Sequence, residues 1–114
     1  MRFDHFTISL MLRPADAPQL DEQRAAAVQD AHRAYLAELH EEGVLLAAGP
    51  IDHPLYRGLS ILNVEPERAR ELKARDEAVR AGVLTVEAAA WMVPAGALSF
   101  SPTLFPRSIA EATA

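Results

Sequence analysis

The chain has 114 residues, 50% of them hydrophobic and 24% charged, with a formal net charge of −5; that is enough for one folded core and too little for two. Its 11 lysines and arginines against 16 acids form no basic stripe for nucleic acid, and the absence of cysteine excludes disulfides, thiol catalysis and thiolate metal sites. No apolar run reaches the length of about eighteen residues that a membrane span needs, and Asp4 and His5 interrupt the only greasy N-terminal segment, so the expectation is a cytoplasmic protein without a membrane partner.

The first element is a strand from Phe3 to Arg13, where Phe6, Ile8, Leu10 and Leu12 alternate with His5, Thr7, Ser9 and Met11. After the turn-rich RPADAPQ, helix formers run from about Leu20 to Glu42, and Gly43 provides a natural stop. VLLAAGP and GLSILNV, on either side of the loop IDHPLYR, read as two short strands. EPERARELKARDEAVRAG then predicts a second helix, opened by Pro66, closed by Gly82 and breakable near Arg75. Alternation returns from Val83 to Val93, with Leu84, Val86, Ala88, Ala90 and Met92 on one side and Thr85, Glu87, Ala89 and Trp91 on the other.

This order is βαββαβ, a ferredoxin-like α+β fold with helices on one face of an antiparallel sheet. The mixed side of the terminal strands (His5, Thr7, Ser9; Thr85, Glu87, Trp91) is expected to be the face left open. A second copy packed there would make a homodimer around a partly wet cavity for a small molecule. The domain is expected over residues 1–97, with 98–114 a tail that wraps a partner subunit to shelter Leu104, Phe105 and Ile109.

Two ionisable residues disturb the apolar stripes of the helices. At 100° per residue, Ala25, Val28, Tyr35, Leu36 and Leu39 fall within roughly 60° of His32, while Asp30, Ala37 and Glu41 lie opposite. Asp76 shares a face with Ala69, Leu72 and Val79 if the second helix continues that far; otherwise it is a favoured cap for a short helix starting at DEAVRAG. Burying a lone charge costs several kcal/mol, so two such groups on core-facing stripes are most economically placed against each other or a shared cleft. A histidine oriented by a carboxylate keeps one tautomer and becomes suited to general acid/base work. The plainer reading is a satisfied core or interface histidine. His40, near the helix end, reads as structural. The four histidines have no ligand-like spacing, so no metal is expected.

The run HRAYLAELHEEGVLLAAGP from His32, followed by GLSIL from Gly58 and RDEAVRAGV from Arg75, resembles the YCII-related family. The resemblance covers about Phe3 to Val93. It implies a ferredoxin-like domain that pairs into a dimeric α/β barrel, with His32 and Asp76 matching the family's proposed active-site histidine and aspartate. The family includes a dehydrochlorinase acting on a chlorinated hydroxyhydroquinone. One departure stands out: Glu77 occupies the place where the family usually has proline, which adds a carboxylate beside the pair or loosens the turn that orients Asp76.

Without a cysteine, a metal motif or a phosphate-cradling glycine loop, no cofactor is expected, and what remains is proton transfer such as elimination or isomerisation, with His32 as acid or base and Asp76 orienting it. Two other readings stay open: a module that binds a small molecule without transforming it, and a dimerisation element whose partner supplies the function.

Overall fold

The computed structural model describes every residue from Met1 to Ala114. In chain order the elements are β1 (Phe3–Leu12), α1 (Glu22–Glu41), β2 (Leu45–Pro50), β3 (Tyr56–Leu62), α2 (Pro66–Lys73), α3 (Glu77–Arg80), β4 (Thr85–Pro94) and α4 (Ile109–Thr113). The strands form one antiparallel sheet in the order β2-β3-β1-β4. Helix α1 packs on β2 and α3, and α2 on β1 and β4, which gives the ferredoxin-like α+β arrangement expected from the element order.

Local chemistry sets the boundaries. Asp21 caps α1 by accepting from the Arg24 N–H at 2.7 Å. Gly43, at φ +79°, ends it in a conformation that glycine tolerates and other residues resist. The second helical stretch breaks over residues 74–76, and Asp76 caps the short α3 that follows.

The sheet corrects the expected assignment of its faces. Cross-strand partners project to the same side, and the register pairs Thr7 with Leu62 and Ala90, Ser9 with Ser60 and Ala88, and Met11 with Gly58 and Val86. The helices cover this side, so Thr7, Ser9, Met11, Ser60 and Leu62 are buried. The open side carries Phe6, Ile8 and Leu10 with Ile61, Leu59, Ala89 and Trp91, and also Glu87 opposite Leu10. The covered face is thus the partly polar one and the apolar face is open, the reverse of the expectation. The two polar sets expected on one face also separate, because the register sets His5, Thr7 and Ser9 opposite Met92, Ala90 and Ala88, not Thr85, Glu87 and Trp91. Alternation defines two faces without saying which one the helices take. Two of the covered hydroxyls are bonded there: Thr7 donates to the Val64 carbonyl, and Ser60 accepts from Lys73.

The core joins both layers through Leu39 of α1, Leu45 of β2, Leu62 of β3, and Ala69 and Leu72 of α2, with Tyr35, Leu36 and Phe105 packed against it. Tyr35 also ties α1 to α2 by donating to the Leu72 carbonyl at 2.6 Å, and burial pushes its hydroxyl pKa up. The segment beyond Leu98 folds back over α1 of its own chain. The Ile109 N–H donates to Asp30, Arg107 pairs with Glu41, and Phe105 stacks on His40 with ring centroids 4.1 Å apart. Asp30, Ala37 and Glu41 are the stripe of α1 that faces away from the sheet, and Ala37 is buried there.

Candidate active site

The interior between α1, α2 and the sheet holds two hydrogen-bonded polar pairs, His32–Asp76 and Lys73–Ser60. His32, on the sheet-facing stripe of α1, and Asp76, between α2 and α3, meet with Nδ1 2.6 Å from Oδ2. The carboxylate accepts, so the bonded tautomer carries its proton on Nδ1. Asp76 is 0% exposed, and its other oxygen, Oδ1, accepts from the Ala78 N–H at 2.9 Å. The same side chain therefore caps α3 and holds the imidazole, so the two roles weighed for Asp76 coexist. The break at residues 74–76 is what allows this, since it turns the chain and brings the carboxylate to α1.

Lys73 is the residue that sequence reasoning missed. It too is 0% exposed, and its Nζ donates to Ser60 Oγ at 2.8 Å. Desolvation lowers its pKa from 10.5 to about 8, opposed by the negative charge of Asp76. A signal was present: Lys73 lies four residues after Ala69, on the same side of α2. A lysine is ordinarily read as solvent-facing, and only the tertiary fold supplies the carboxylate and hydroxyl that let it stay inside. Ser9, directly across from Ser60, is buried with its Oγ unpaired.

His32 borders a cleft of about 600 Å³ between α1 and the β2, β3 and β1 part of the sheet. Met11, Val28, Leu36 and Phe105 give it an apolar wall, and Ser60 contributes a hydroxyl. Nδ1 of His32 is engaged by Asp76, while Nε2 has no hydrogen-bond partner in the chain. The cleft lies under the helices, within the single chain.

The other histidines are accounted for elsewhere. His40 donates from Nδ1 to the Leu45 carbonyl at 2.7 Å and accepts at Nε2 from the Thr103 N–H at 3.0 Å. His53 accepts from the Leu55 and Tyr56 N–H groups in the loop before β3. His5 stands exposed on β1. Glu77 pairs with Arg24 of α1 at 2.9 Å and stays apart from the His32–Asp76 bond, and the Asp76 cap keeps the turn. No group of three or more His, Asp or Glu side chains is gathered to hold a metal ion.

Fold and site together define a ferredoxin-like α+β domain in which a histidine, bonded to a buried aspartate, borders a cleft. Residues 9–91 match the YCII-related domain family, and the chain belongs to that family. The matched span carries His32, Lys73 and Asp76 and stops short of the tail. No curated protein matches the chain. None of the helices is long and apolar enough to cross a membrane.

Proposed function

We propose that this YCII-related protein is a cofactor-independent enzyme that moves a proton on a small organic molecule, in an elimination or isomerisation. The observation that carries this reading is the asymmetry of His32: Nδ1 is fixed by Asp76 at 2.6 Å, and Nε2 is left without a partner on a residue that lines the cleft. An imidazole held in one tautomer by a buried carboxylate is poised to take a proton at its free nitrogen and return it to the product. Asp76 orients the ring and stabilises the imidazolium formed during transfer. In an elimination, Nε2 removes the proton from carbon while the leaving group departs into the open cleft.

The same reading includes a homodimer working in the cytoplasm. Its support is the open sheet face, where Leu59 and Trp91 are each 37% exposed beside Phe6, Ile8 and Leu10. A largely apolar surface spanning three strands, with Glu87 beside Leu10 and the tail's Phe100 against Phe6, is the type that a second copy covers.

The test is to supply chlorinated and hydroxylated aromatics to the purified protein and to His32→Ala, following product formation and chloride release. Turnover by the native chain and none by the variant is expected. Equal turnover by both would remove His32 from the chemistry.

A further inference from the structure

The chain carries 16 acidic residues against 11 basic ones, yet no aspartate or glutamate lines the cleft at His32. The charged residues that do line it, apart from the histidine, are Arg13, Arg33 and Arg57. They come from three separate places: just past the end of β1, the middle of α1 beside His32, and the start of β3. None of the three forms an ion pair within the chain, although Arg24, Arg68, Arg80 and Arg107 all do. Arg33 adds a second, independent sign, since its Nε is buried and has no hydrogen-bond partner. A buried donor without a partner is costly, and a guanidinium stays charged at any physiological pH.

We infer that the cleft takes a small organic anion, a carboxylate or a phosphate ester, whose charged group is held by Arg13, Arg33 and Arg57 while its apolar body lies on Met11, Val28, Leu36 and Phe105. The planar guanidinium fork matches either headgroup by paired N–H donors. Placed beside His32, the same cations would also stabilise negative charge that develops on the substrate when a proton is removed from it. The inference rests on the proposed function for the location of the reacting atoms, but the anion site stands or fails by binding alone.

The experiment measures binding of benzoate, phenyl phosphate and the neutral isostere benzamide to the full chain by calorimetric titration at two salt concentrations. Both anions should bind at least about tenfold more tightly than benzamide, the difference expected of one charge-assisted hydrogen-bonded pair. Their affinity should fall as salt rises, and the tighter of the two identifies the headgroup. Arg33→Gln combined with Arg57→Gln should remove the preference, and Arg33→Lys should keep part of it. Equal affinity for benzamide, anion binding untouched by salt in the native chain, or no binding of either anion at millimolar concentration would overturn the inference. His32→Ala separates it from the proton-transfer reading: that variant should keep the preference for anions even while turnover is lost.

Discussion

His32 and His40 stand about two turns apart on α1, and both commit Nδ1 to a partner inside the protein. At His40 the other nitrogen is taken as well, by the Thr103 N–H, and the ring lies against Phe105. At His32 the other nitrogen has no partner, and the residue borders a cleft. One helix thus carries a histidine that fastens the tail and a histidine held on one side only. The difference shows that a short hydrogen bond at Nδ1 is common to both residues; what sets His32 apart, and what the proposed function rests on, is the unused nitrogen and the cleft beside it.

The largest expected effect is on His32. His32→Ala should lower turnover by about 10²- to 10⁴-fold, the usual contribution of a positioned acid or base, and, because it takes a hydrogen-bond partner from the buried Asp76 carboxylate, should cost about 1–3 kcal/mol of stability while the chain still folds. A variant that loses folding and turnover together would break the contrast, because His32 would then be a structural residue like His40. Asp76→Asn should come next. It weakens the hold on the imidazole and the cap on α3, so about 1–3 kcal/mol of stability should be lost in a denaturant titration, together with turnover. His40→Ala should cost about 1–2 kcal/mol from two lost hydrogen bonds and a ring stack, and its turnover per folded molecule should match the native chain.

The smallest effect concerns Lys73. Its folded pKa, about 8, lies below the unfolded value of 10.5, so the unfolded chain binds more protons between these pH values. Stability should therefore gain from this group as pH rises through that window, by at most about 1 kcal/mol per pH unit. Comparing denaturant midpoints of the native chain and Lys73→Met from pH 7.5 to 10 isolates the slope; identical slopes would show that Lys73 is not held in a desolvated site.

The element order, the stop at Gly43 and the break near Arg75 were legible because each rests on local chemistry: periodicity, a cap and a glycine. His32 was legible for the same reason, as a polar residue in an apolar stripe. What helical phase could not supply was the partner, since Asp76 is joined to His32 by the turn between α2 and α3 and not by any spacing along the chain. The faces of the sheet were misassigned because apolarity was equated with the covered side. Here the hydroxyls of Thr7 and Ser60 are bonded beneath the helices and the apolar side is open. Lys73 and the three arginines of the cleft stayed hidden because a basic residue looks alike in sequence whether it meets water or a cavity; only Arg33, adjacent to His32, carried a positional hint.

The most direct test of the contrast on α1 is kcat/KM for the native chain, His32→Ala and His40→Ala, measured side by side on whichever aromatic the native protein converts, with the folded fraction of each fixed by circular dichroism. The expected result is a fall of at least about 100-fold for His32→Ala and a native value for folded His40→Ala. Native kcat/KM in a folded His32→Ala chain would contradict the role given to His32.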